Sequence, residues 1–212
     1  MKAVVKEQTL FDHEGDTLSL DRDVNFEIIC EEPLVVVLKN VVSDEECTAL
    51  INLSKDKLKR SKIGDARQTD EQRTSSSMFF EENENDLIIT IENRISNIMN
   101  IPIAHAEGLQ ILKYSPGQEY KAHYDFFNEN SKAASNNRIS TMVMYLNEVT
   151  AGGDTYFPSL DISVSPEKGS AVYFEYFYND QNLNNLTLHG GAPVIEGEKW
   201  VATQWMRKQR IR

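Results

Sequence analysis

Residues 114–125 read Tyr114-Ser115-Pro116-Gly117-Gln118-Glu119-Tyr120-Lys121-Ala122-His123-Tyr124-Asp125, and the chain is organised around them. The stretch ends with an imidazole and a carboxylate two residues apart. In an extended backbone, residues i and i+2 point to the same side, so His123 and Asp125 can reach one point. One histidine and one carboxylate are two thirds of a facial triad, the ligand set that leaves positions open on non-heme Fe(II). A His-x-Asp pair also occurs in ordinary loops, so the rest of the chain has to decide between the two readings.

The 212 residues fit one domain with an N-terminal extension. Hydrophobic residues make up 40%, which is enough for a substantial core. The formal net charge of −11 argues against a nucleic-acid or anionic-membrane partner, because phosphate would be repelled. No apolar run approaches the roughly 18–20 residues that span a bilayer. The start, Met1 to Glu7, lacks the apolar region of a signal peptide, so a cytoplasmic chain is expected. Cys30 and Cys47 fit neither a disulfide framework nor a zinc site and read as reduced packing residues.

Residues 1–30 are polar and acidic, carrying Asp12, Glu14, Asp16, Asp21 and Asp23. They are expected to form an extension with one or two strands, ahead of a domain over 31–212. Pro33 to Lys39 is apolar and β-branched, the pattern of a buried strand. Ser43 and Glu46 fit a capping box, and Cys47, Leu50, Ile51 and Leu58 continue a helix over 44–58. Residues 61–77 carry little that could be buried and read as a solvated loop. Leu87, Ile88, Ile91, Ile95, Ile98 and Met99 mark a second amphipathic helix, ended by Pro102. From residue 107 the pattern changes to short strands at 108–114, 138–147, 163–165, 170–176, 186–189 and 199–207. Such spacing suggests a sandwich or barrel behind two helices. The Asn-, Ser- and Ala-rich linker 126–137 reads as an exposed, mobile loop.

The chain has four histidines: His13, His105, His123 and His189. His189 ends an apolar run just before Gly190-Gly191. A histidine there is commonly a satisfied core or edge residue, yet it is also the best-placed third ligand for His123 and Asp125. Ten residues later Lys199 opens the run Lys199 to Trp205, whose alternation puts Lys199, Val201, Thr203 and Trp205 on one face. Were that face to line a barrel, a buried ammonium would need an anionic partner such as a dicarboxylate. The plainer alternative is a solvated lysine at a strand start.

Taken together, this ordered set resembles the Fe(II)/2-oxoglutarate dioxygenases, and within them the prolyl 4-hydroxylases. Tyr114, Gly117, Tyr120, His123 and Asp125 match the family's Tyr, Gly, Tyr, His-x-Asp pattern. Gly152-Gly153-Asp154-Thr155-Tyr156-Phe157-Pro158 resembles its GG-acidic-T-x-F-P element. His189 and Lys199 match the distal His and the Lys ten residues on. The similarity runs from about Val35 to the C-terminus.

The resemblance implies an α+β fold: a distorted double-stranded β-helix, a jelly-roll or cupin-like core, with N-terminal helices packed on one side. It implies that His123, Asp125 and His189 hold Fe(II), and that Lys199, with Tyr114 and Thr155, binds 2-oxoglutarate. Asp125 is retained where halogenating relatives lack the carboxylate, so hydroxylation is the implied outcome. O2 is the second cosubstrate, and ascorbate (vitamin C) is the implied reductant. Residues resembling the family's substrate-facing set are Arg73, Ser75, Glu107, Tyr120, Arg138 and Trp205, which gives the 61–77 loop a second reading as a lid. The implied partner is a proline-containing peptide or protein, with collagen-like chains one candidate and a homodimer one candidate assembly. One departure stands out, since relatives acting on collagen or plant-wall peptides often carry His where this chain has Arg207. Alternatives are a same-fold dioxygenase acting on another residue or a free amino acid, and a non-catalytic metal- or peptide-binding module.

Overall fold

A computed structural model describes residues 7–62 and 70–212. The chain enters through a hairpin of β1 (Thr17–Ser19) and β2 (Asp23–Glu31), followed by β3 (Leu34–Lys39). In β2 the buried Val24 and Phe26 alternate with exposed neighbours, and the strand pairs with β3 from Asn25–Lys39 to Glu31–Leu34. The boundary expected between residues 30 and 31 therefore cuts through a strand. Phe11, Leu18, Val24 and Phe26 all belong to the main core. Four apolar residues spread among acids were too few to show a period in the sequence.

The capping box is complete: Ser43 Oγ accepts from the Glu46 N–H and Glu46 accepts from the Ser43 N–H, starting α1 (Asp44–Ser54). The helix stops short of the expected residue 58, with Ser54 Oγ donating back to the Leu50 carbonyl. Leu58 still packs on the core from the turn that follows. The stretch 61–77 departs from its solvated-loop reading. Residues 63–69 lie outside the described residues, but β4 (Lys59–Arg60) and β5 (Ser76–Phe79) flank them as paired strands. Ser61, Arg73 and Ser75 are buried. Their polar groups are largely satisfied internally, with Ser61 Oγ 2.8 Å from Ser75 Oγ and Arg73 Nη2 donating to Gln110 Oε1. Next, α2 (Asp86–Met99) buries Ile88, Ile91, Ile95, Ile98 and Met99. Asn100, in the left-handed conformation, ends it two residues before Pro102.

The second half supplies β6 (Gln110–Tyr114), β7 (Tyr120–His123), β8 (Arg138–Tyr145), β9 (Ala151–Gly152), β10 (Thr155–Phe157), β11 (Ile162–Val164) and β12 (Ala171–Glu175). After these come α3 (Gln181–Leu186), β13 (His189–Gly191), β14 (Val194–Glu196) and β15 (Lys199–Arg207). The expected strand at 186–189 thus begins on the last residue of a helix capped by Asp180, turns through Thr187 and Leu188, and enters a strand only at His189. In the linker 126–137, Asn137 clasps Phe127 through both its N–H and its carbonyl, Lys132–Asn136 form a short helical turn, and residues 128–130 at the tip are exposed.

Among the described residues, nine strands form one sheet in the order β1-β2-β3-β12-β8-β15-β6-β5-β4. A smaller sheet, β11-β10-β13-β7, faces it. Period-two alternation sorts the large sheet's side chains between its faces. Val36, Leu38, Met142, Met144, Ala171, Tyr173 and Ala202 pack with residues of α1 and α2. Val35, Leu112, Tyr145, Val172, Phe174 and Val201 pack with Phe157 of the smaller sheet. Helices on one side and a second sheet on the other give the expected distorted double-stranded β-helix. The site lies between the two sheets.

Candidate metal centre and active site

β13 runs between β7 and β10, in register such that His189 is directly opposite His123. The approach of these strands requires glycine at 190, where a Cβ would sit 2.6 Å from the Tyr156 hydroxyl and 2.8 Å from the Tyr120 carbonyl oxygen. Asp125 follows in the bend after β7. Its Oδ1 lies 3.4 Å from His123 Nε2 and its Oδ2 3.5 Å from His189 Nε2. The three donor atoms fall within 4.8 Å of one another. Each ring's other nitrogen faces a backbone carbonyl, His123 Nδ1 at 2.9 Å from Lys121 and His189 Nδ1 at 3.0 Å from Thr187. A carbonyl only accepts, so in the neutral form of each ring Nδ1 carries the proton and Nε2 presents a lone pair.

Burial alone would push the Asp125 carboxyl up, but the His189 and His123 rings and the Arg138 guanidinium hold it well below the usual carboxylate range. Burial pushes the His189 imidazole down to about 4. At neutral pH the centre therefore pairs an anionic oxygen with an unprotonated His189 nitrogen, the states a metal needs. Two imidazoles and one carboxylate fit Fe(II) by donor type. His13 and His105 lie elsewhere, on the carbonyls of Ile98 and Arg207.

The same cleft is lined by Lys199, Val201, Thr203 and Trp205, the face that alternation in β15 predicted. Lys199 is 4% exposed, which excludes the solvated strand-start alternative. Its Nζ stands 5.7 Å from the Tyr114 ring and 5.5 Å from the Tyr145 ring. Burial pulls its pKa down to about 8, with Asp154 opposing. Thr155 and Tyr114 line the cleft as expected, and the Tyr145 hydroxyl donates to Thr155 Oγ1 at 2.8 Å. Sequence reading missed Tyr145, because a tyrosine within Met142-Val143-Met144-Tyr145-Leu146 reads as core.

The six substrate-facing candidates divide. Arg73, Tyr120 and Trp205 line the cleft. The Arg73 guanidinium lies 4.7 Å from the Tyr120 ring, which stacks on His123 at 3.5 Å between centroids. Arg73 Nε and Trp205 Nε1 are buried without a protein acceptor, which leaves two donors for a ligand. Ser75 is instead buried against Ser61. Glu107 and Arg138 pair behind Trp205, with the guanidinium 4.0 Å from its ring and Nε 2.7 Å from Glu107 Oε1. Arg207, the departure noted in the sequence, joins Arg138 on Glu107 and also donates to the Asn136 carbonyl.

Comparison with known proteins follows the same lines. Residues 109–207 match the family described as the 2OG-Fe(II) oxygenase superfamily. Probable prolyl 4-hydroxylase 3 of Arabidopsis thaliana is 37% identical over 204 residues, covering 85% of this chain and 71% of that protein. Prolyl 4-hydroxylase 5 of the same plant is 35% identical over 219 residues, covering 90% and 75%. Among solved structures, the viral collagen prolyl hydroxylase of Paramecium Bursaria Chlorella virus-1 in its 2OG complex superposes with a TM-score of 0.68 at 29% identity, covering 84% of this chain and 98% of that one. A Pseudomonas putida prolyl-4-hydroxylase, 18% identical with a TM-score of 0.57 and covering 82% and 92%, shares the fold.

Proposed function

This chain belongs to the prolyl 4-hydroxylase family within the 2OG-Fe(II) oxygenases, and from that premise we propose how its own residues hydroxylate proline. His123, Asp125 and His189 hold the Fe(II), Lys199 holds 2-oxoglutarate, and the target proline lies in a peptide or protein chain. The observation that carries this reading is that both Nε2 atoms and the Asp125 carboxylate converge in the cleft that Lys199 also lines. When bound, the iron couples decarboxylation of 2-oxoglutarate by O2, to succinate and CO2, with insertion of the second oxygen atom into a proline C–H bond.

Every other part of the task falls to the protein. The Lys199 ammonium pairs with the far carboxylate of 2-oxoglutarate, and Thr155 and Tyr114 add hydroxyls beside it. Leu112, Val143 and Val201 supply apolar wall that excludes water. Tyr120 and Trp205 offer flat faces for the proline ring, and Arg73 Nε and Trp205 Nε1 are free to donate to peptide carbonyls. Ascorbate belongs to the same reading, as the reductant that keeps the metal ferrous. A collagen-like substrate is supported by the likeness to the viral collagen prolyl hydroxylase, and a cytoplasmic setting by the two unpaired cysteines.

Two expected results follow from these roles. Lys199 must be protonated to hold a dicarboxylate, and with a pKa of about 8 it is mostly charged at pH 7 and mostly neutral at pH 9. The affinity for 2-oxoglutarate should therefore fall by about tenfold between those values, measured by calorimetric titration with Mn(II) in place of iron. An affinity that is flat or rising over that range would remove the ammonium from the site. The second result concerns Arg73→Ala. It should slow peptide hydroxylation by about tenfold or more, as expected for a lost charged hydrogen bond. Peptide-independent 2-oxoglutarate decarboxylation should stay nearly intact. Equal loss in both rates would mean that Arg73 supports the iron site through Tyr120 rather than the peptide.

A further inference from the structure

The carboxylate of the triad is itself held by a row of hydroxyls. Thr141, on β8, shares the inward face with Val143 and Tyr145, and its Oγ1 donates to Asp125 Oδ2 at 2.7 Å. The same Oγ1 lies 2.6 Å from the Tyr176 hydroxyl. Ionised Asp125 only accepts, so the single Thr141 proton goes to it, and Tyr176 must donate to Thr141. Burial pushes the Tyr176 phenol well up, so it keeps that proton. Tyr176 is fixed in turn. Its N–H donates to the Ile139 carbonyl, and Phe126 and Phe174 flank its ring at 5.9 and 5.8 Å.

We propose that Thr141, locked by Tyr176, is the positioning residue that orients the Asp125 carboxylate and thereby sets the metal affinity of the centre. The inference rests on reading His123, Asp125 and His189 as the metal site. Asp125 lies in a bend after the end of β7, so its side chain has no ladder to steady it. Both imidazoles turn toward it the Nε2 atoms that would bind the metal, 3.4 and 3.5 Å from its oxygens. Thr141 Oγ1, at 2.7 Å, is the nearer side-chain partner of its oxygens among the described residues. Without that bond the carboxylate is free to turn away from the two Nε2 atoms or to present both oxygens at once. Losing a partner that orients a ligand in this way typically weakens metal binding by about 10- to 100-fold.

The test must separate positioning from folding, and burial logic supplies the variants. Thr141→Val keeps the shape but strands the Tyr176 hydroxyl, so it should lower both metal affinity and the melting temperature of the metal-free protein. The double variant Thr141→Val/Tyr176→Phe also removes the stranded hydroxyl and should recover the part of that stability lost at Tyr176, leaving only the Asp125 carboxylate without its donor. Thr141→Ser keeps the donor. Metal-free full chain would be titrated with Co(II), following binding by calorimetry and by the visible absorption of the bound ion. The expected result is Co(II) binding about 10- to 100-fold weaker in the single and double valine variants, and near wild type in Thr141→Ser. A double variant that binds Co(II) as tightly as wild type, or affinity that recovers in step with melting temperature, would overturn the proposal. If wild type itself binds no Co(II), the metal reading falls and takes this inference with it. If wild type binds and the double variant binds equally, only the role of Thr141 falls.

Discussion

Replacing His189 with alanine is expected to abolish iron-dependent turnover, by more than about 100-fold, since even the partners of ligands are worth 10- to 100-fold. His189 contributes one of three donors within 4.8 Å, from a strand 64 residues beyond Asp125 in the chain. No neighbouring side chain can replace it, because Gly190 and Gly191 follow and His123 already serves the opposite side. Co(II) affinity should fall with the rate. His13→Ala and His105→Ala are the matched controls, since those rings bond to the carbonyls of Ile98 and Arg207 and neither lines the cleft, and both should leave turnover within about twofold of wild type. Near-normal activity in His189→Ala would show that the triad is wrongly assigned.

Lys199→Ala should raise the 2-oxoglutarate requirement by about 100-fold or more, because breaking a buried charge pair costs roughly 3 to 5 kcal/mol. Metal affinity should change far less. A shape-conserving variant gives an effect of opposite sign on stability. Burial already drags the Lys199 pKa down to about 8, which means that the empty protein holds this charge at a cost. That cost is fully present below pH 8 and disappears as pH rises through the unfolded value near 10.5. Lys199→Met should therefore match or exceed the wild-type melting temperature at pH 7 while losing 2-oxoglutarate. An unchanged half-saturation in either variant would remove Lys199 from the cosubstrate site.

The site was legible because its chemistry sits in short, dense words. His123 and Asp125 are two residues apart, and the face of Lys199, Val201, Thr203 and Trp205 follows from alternation alone. What stayed hidden needed long-range contacts. β2 carries only two buried residues, Val24 and Phe26, beside exposed polar and acidic ones, so its place in the large sheet became visible only through pairing with β3. Segment 70–77 looked solvated because it has few apolar groups, yet Arg73 and Ser75 are buried by hydrogen bonds to Gln110 and Ser61, residues distant in sequence. The strands β7, β9, β10 and β14 have two to four residues, too few to show a period. Thr141 and Tyr145 sit in an apolar strand and differ from core residues only in what their hydroxyls meet.

Product analysis reaches the central claim most directly. The purified chain would be incubated with Fe(II), 2-oxoglutarate, O2 and a panel of proline-containing peptides, collagen-like repeats among them, with succinate and peptide mass measured together. The expected result is one oxygen atom added to proline for each succinate released, with both signals lost in Asp125→Ala. Oxygen found on another residue, or succinate released at the same rate whether or not any proline peptide is present and with no peptide modified, would contradict proline hydroxylation by this site.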